Sequence, residues 1–188
     1  MMDTAKPQEL LIETSVRLLL QAVSLLEGMD GATYAAVTPA TAPHRVGGHI
    51  RHILEFYECF LDGLGSGRID YDARKRDLAV ETEIGAALTK ARSLMLRLLR
   101  EPALRSDPML LVRMEDVPAS LGEDAGFLVS SAARELQVLC SHTIHHFALI
   151  GLTLRALGVE VDPDFGMAPS TLRNLAKHAQ AEVIQCVQ

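Results

Sequence analysis

Histidine is the residue whose spacing carries chemistry in this chain. Seven are present, and five fall into two tight groups: His49 with His52, and His142 with His145 and His146. Residues four apart on a helix share a face, with Cβ atoms about 5–6 Å apart, so His142 and His146 can turn their imidazoles toward one ion. His145 lies about 100° round the axis from His146, and these adjacent rings cannot share a target. His49 and His52 diverge by only about 60°. His52 shares its side with Phe56 and Cys59, while His49 aligns with Ile53, Phe56 and Phe60. Spacing alone leaves the choice between them open.

Neutral imidazole is a good ligand for zinc, nickel, copper and iron(II). Three imidazoles with no thiolate leave the double positive charge of an ion unneutralised and its remaining positions open. Such a centre lowers the pKa of bound water to about 7, or holds a thiol as its thiolate. A single histidine on an apolar face is more often a core residue bonded to backbone, and a His-x-x-x-His pair also arises by chance. The metal reading gains weight because the pair falls on the most regular helical pattern and a second group falls on another.

These side chains need helices to hold them. The helix of His142 and His146 is expected from about Ser130 to Leu157, on the stripe Leu136, Leu139, Thr143, His146, Ile150 and Leu154, with Gly158 past its end. The helix of His49 and His52 is expected from about Pro43 to Leu64, ended by Gly63, Gly65 and Gly67. Gly47-Gly48 in its first turn lowers helix propensity and lets another backbone or a ligand come close. Further amphipathic patterns run from Pro7 to Met29, before a loop through Pro39 and Pro43, and from Asp77 to Arg100, where Glu101-Pro102 stops the helix. The apolar run Met109 to Met114 fits either a strand or a buried loop. Ser170 or Thr171 caps a short final helix through Leu172, Leu175, Ala179 and Val183. Together these patterns predict one all-α domain over residues 1–188: an antiparallel four-helix bundle with a short additional C-terminal helix.

Composition agrees with helices on helices. Aromatic residues make up 4% of the chain and Trp is absent, a poor supply for a β-sandwich. The net charge of −6 argues against a nucleic-acid partner. The basic residues Arg68, Arg74, Lys75 and Arg76 are interleaved with Asp70, Asp72 and Asp77. Three cysteines are too few for a disulfide framework or a thiolate zinc site. No secretory pattern opens the sequence and no run of 18 apolar residues occurs, so no membrane span is expected and the cytoplasm is the expected location.

Three segments resemble the DinB-like superfamily of metal-dependent enzymes. Val46-Gly-Gly-His49-Ile-Arg-His52-Ile-Leu-Glu-Phe-Tyr57 resembles the helix carrying the first metal histidine of that family. Ser141-His142-Thr-Ile-His145-His146-Phe-Ala-Leu-Ile150 resembles its second metal helix, and Phe165-Gly-Met-Ala-Pro-Ser-Thr171 the ending of one subgroup. The resemblance implies His52, His142 and His146 as ligands of a divalent ion (zinc, nickel or iron(II)), with His49 and His145 as neighbours. It also implies metal-assisted transfer of a thiolate to or from a small electrophile, or hydrolysis. The expected partners are a small-molecule substrate, with a low-molecular-weight thiol as cosubstrate, and a second copy of the chain. The competing reading is a non-catalytic binding or regulatory bundle with an adventitious or structural metal; an open histidine site also permits a non-haem iron centre.

Around the histidines the sequence says less. Glu135, about 10 Å along the axis from His142, is too far to be a ligand on an unbroken helix. Glu55 is placed to accept the second ring N–H of His52, although a solvated surface position is the favoured reading. Arg74, Arg76 and Arg134 could hold a cosubstrate carboxylate; ordinary surface charge is the favoured reading for them too. Tyr57 and Tyr71 are candidates for the pocket border.

Overall fold

The computed structural model describes residues 6–37, 45–113 and 125–186, with side chains as far as His178. The chain is mostly helical, with a small three-stranded sheet. The first helix, α1 (Pro7–Glu27), starts with Pro7 in its first turn, where the missing N–H costs no hydrogen bond. The short α2 (Gly31–Ala35) is capped by Asp30, whose carboxylate accepts from the Thr33 amide at 2.8 Å. The histidine-bearing α3 spans Val46–Gly63.

The helix expected over Asp77–Arg100 is two helices, α4 (Leu78–Thr82) and α5 (Ile84–Arg100), parted by extended backbone at Glu83. The break lets α4 lie across the start of α3. There the Val80 carbonyl accepts a 2.6 Å bond from the buried Tyr34 hydroxyl. At Gly47 a Cβ would sit 1.9 Å from the Glu81 carbonyl oxygen. Another backbone therefore occupies the space that the glycine pair leaves, not a ligand.

The all-α expectation needs correction. Strands β1 (Arg68–Asp70), β2 (Met109–Arg113) and β3 (Leu128–Ser131) form one sheet in that order, β1 parallel and β3 antiparallel to β2. The reason is the two-residue period of the short apolar run: Leu110 and Val112 are buried with Ile69, while Met109 faces outward. Leu110 pairs with Ser130 and Leu111 with Val129, so the sheet delivers the chain into the second histidine helix.

That helix, α6 (Ala132–Ala156), is capped by Ser131, whose hydroxyl accepts from the Arg134 amide at 3.3 Å. Among the long helices, α1 packs against α5 and α6, and α3 packs against the same two. Leu19, Leu26, Ile50, Phe60, Leu98, Leu136 and Ile150 fill the space between them. The last helix, α7, spans Pro169–Cys186, longer than the short helix expected. Pro39, Pro43 and Met114, singled out in the sequence, lie outside the described residues. Among the described residues no helix is long and apolar enough to cross a membrane.

Candidate metal centre

The contact of α3 with α6 brings the two histidine groups together. One ligand atom from each of His52, His142 and His146 can be chosen so that all lie within 4.8 Å of one another. The ring centroids are 4.9 Å apart for His52–His142, 4.6 Å for His52–His146 and 4.5 Å for His142–His146. With metal–nitrogen bonds of about 2.0–2.1 Å, donors of a tetrahedral site stand roughly 3.4 Å apart. Side-chain rotation of an ångström or so closes that difference.

The local chemistry fits an ion. All three rings are half-buried. His142 Nε2 is buried and has no hydrogen-bond partner among the described residues, a costly state for a polar nitrogen unless something binds it. Burial, with His142 next and the Arg74 and Arg51 cations behind it, pushes the His52 pKa down to about 3. Burial and the other histidines push His146 down to about 3, and burial with His145 and Arg74 pushes His142 down to about 4. Each ring is therefore neutral near pH 7, the form that coordinates metal.

His49 and His145 part company. His49 is buried, and its Nδ1 lies 2.9 Å from His146 Nδ1. One nitrogen must donate and the other accept. In either tautomer the pair fixes the orientation of the His146 ring, and with His146 Nδ1 as the protonated atom its Nε2 is left free as a ligand. His145 is exposed and meets the edge of the His146 ring, with centroids 5.3 Å apart.

Several neighbours differ from their sequence reading. Glu55 is not at the surface: it is buried, and its Oε1 accepts a 2.7 Å bond from the Asp77 amide ahead of α4. Arg51 lies 3.9 Å from its other oxygen. Glu135 is also buried, and its carboxylate accepts from Tyr71 at 3.0 Å and from Ser130 at 2.6 Å. Tyr57 and Tyr71 are both fully buried, so neither borders an open pocket. Burial pushes both phenols above their ordinary pKa.

Sequence reasoning gives Phe56 no role at the site. Its ring lies 4.6 Å from His52 and 4.5 Å from His142, and it stacks on Tyr71 at 4.9 Å. The signal is there in the spacing, because Phe56 is four residues after His52 and so on the same helix face. Arg74 lies over this ring, with Cζ 4.5 Å from the centroid. A cleft of about 640 Å³ opens beside His142, lined also by Arg134, Gln137, Val138, Ser141 and His145.

The ending at residues 165–171 has a visible structural role. Phe165 is buried and stacks at 4.8 Å on Phe147, the residue directly after His146. Gly166 has φ +77°, and a Cβ there would come within 2.5 Å of the Ala148 amide nitrogen. Only glycine allows so close an approach in that conformation, and the chain thereby braces the outer side of α6.

No family model matches the chain, and no solved structure matches it. One curated protein similar to it is FK506-binding protein 5 from Rhizopus delemar, 33% identical over 109 residues. That match covers 58% of this chain and 28% of that protein, so the chain spans well under two thirds of its relative.

Proposed function

We propose that this chain is a DinB-like metalloprotein built as an antiparallel four-helix bundle, with its small sheet as an addition at one end. His52, His142 and His146 would hold one divalent ion, zinc, nickel or iron(II). One observation carries this reading: three neutral imidazoles from two helices converge, and His142 Nε2 is buried there without a partner among the described residues. When bound, the ion supplies Lewis acidity that turns a thiol or water into a nucleophile near neutral pH.

The chain's own residues do the rest. His49 orients His146 through the Nδ1 pair. Phe56 and the ring of His52 make one apolar wall, which limits access of bulk water to the centre. Among the described residues no carboxylate joins the three rings, so the charge of an ion stays uncancelled and favours an anionic nucleophile. The reaction class is thiol-dependent transfer or hydrolysis on a small molecule, in the cytoplasm, by a chain that can pair with a second copy.

The first test is metal content by mass spectrometry, on tag-free protein purified without nickel resin, beside His52→Ala and His146→Ala. About one ion per wild-type chain, absent from both variants, supports the centre. Cobalt loading and addition of mercaptoethanol then ask for chemistry, read as a thiolate-to-cobalt charge-transfer band. Wild-type protein that neither carries metal nor takes up zinc, nickel or iron(II) contradicts the proposal.

A further inference from the structure

Among the described residues, the half-buried cations at the base of α3 and around the sheet follow a pattern with one exception. Arg45 and Arg51 face Glu81 at 3.5 and 2.6 Å, Lys90 faces Glu58 at 2.8 Å, and Arg113 faces Asp70. Arg74 is half-buried like these, yet it pairs with no carboxylate among the described residues. Glu55 and Asp72 act on it only through space, and Glu55 is already engaged by the Asp77 amide.

Its placement is fixed rather than loose. Nη1 donates to the Tyr71 carbonyl at 2.7 Å, and the guanidinium lies over the Phe56 ring. One of five N–H groups is used there, and the other four meet no acceptor among the described residues. Phe56 in turn touches both His52 and His142. A partly desolvated, preoriented guanidinium therefore stands one ring away from two of the three candidate ligands. Its field reaches both, helping to hold them neutral. A half-buried cation without a counter-charge is unfavourable for folding alone, and a planar fork with free donors matches a carboxylate.

We propose that Arg74 docks the carboxylate of a small substrate or cosubstrate whose reacting thiol or electrophile lies at the three-histidine centre. This rests on the metal reading above and adds the substrate class to it. Arg76 and Arg134 are not given this part, because neither is held in place by burial: Arg76 is exposed with φ 51°, and Arg134 is exposed where it lines the cleft.

The test uses cobalt-loaded full-length protein and two probes, mercaptopropionate and its uncharged analogue mercaptopropionamide. Both are titrated by their thiolate-to-cobalt band. Wild-type protein is expected to prefer the carboxylate about ten- to a hundredfold, the scale of a hydrogen-bonded charge pair. Arg74→Gln should abolish that preference and Arg74→Lys should restore part of it, while Arg76→Gln and Arg134→Gln should keep it. Cobalt absorption monitors the centre separately in every variant. Equal affinity for the two probes in wild type, or a preference that survives Arg74→Gln, overturns the docking role while leaving the metal centre intact. Failure to bind cobalt, or to capture either thiol, contradicts the proposed function and removes the docking role with it.

Discussion

Helix α6 carries two buried polar clusters that solve the same problem in opposite ways. Near its start, Glu135 is covered by the core, and both of its oxygens are engaged, one by Tyr71 and one by Ser130. Two turns on, His142 and His146 meet His52 and His49, and here ring nitrogens face ring nitrogens: one pair lies within hydrogen-bond distance, and the buried His142 Nε2 has no partner among the described residues. The first cluster is complete with what the chain provides. The second is not, and a divalent ion is what would complete it. Burial of polar groups thus goes with satisfied hydrogen bonds in one place and, on the reading proposed above, with a place for an ion in the other.

The contrast can be broken most forcefully with metal itself. Zinc added to metal-free protein at a thousandfold excess over its Kd should raise the stability to urea by about 4 kcal/mol. The same addition to His52→Ala should raise it little. A denaturation midpoint that zinc shifts equally in both proteins would dissolve the distinction.

Next in size is the pair between the rings. In His49→Gln the amide stands where Nε2 was, whereas in His49→Asn its oxygen can take the position of Nδ1. Metal affinity by competition with a chelator should fall about ten- to a hundredfold in the Gln variant and stay near wild type in the Asn variant. Equal losses would reduce His49 to a packing residue.

The two clusters should also differ without any metal. Glu135→Ala strands the Tyr71 hydroxyl in the core and should cost roughly 1–3 kcal/mol in urea unfolding. His142→Leu removes an unpartnered nitrogen and should leave the metal-free protein as stable or more so. The reverse order of stabilities would mean that the histidine cluster, too, is satisfied by the chain.

The smallest effect is that of pH. His52 and His146 remain neutral to about pH 3 and His142 to about pH 4, against an ordinary 6.5. Between these limits the unfolded chain binds protons that the folded one refuses. Metal-free protein should therefore lose stability as pH falls from 6.5 toward 4 and show no contribution from these groups above 6.5. His52→Phe should flatten that slope. Half-exposure of the rings keeps the dependence shallow.

The histidine helices are legible in the sequence because i,i+4 spacing and the apolar stripe both report the same face. That is why spacing alone pairs His142 with His146, while the preference for His52 over His49 comes only from the family resemblance. The sheet is less legible: five residues of β2 are too few to separate a strand from a buried loop, and β1 forms only because β2 lies beside it. The split between α4 and α5 is hidden because Thr82 and Glu83 interrupt no apolar pattern; the cause is tertiary, the seating of Glu81 on Gly47. The burial of Glu55 and Arg74, both read from the sequence as surface charges by preference, is hidden for the same reason. Both are charged residues whose burial is set by distant segments, Glu55 by the approach to α4 and Arg74 by the ring of Phe56.

The central claim is that the histidine cluster is incomplete without an ion and the Glu135 cluster is not. Calorimetric titration of zinc into metal-free wild type, His142→Ala and Glu135→Gln tests it most directly. The expected result is one tight zinc per chain in wild type and in Glu135→Gln, and none in His142→Ala. No tight zinc in wild type, or undiminished binding in His142→Ala, would contradict it.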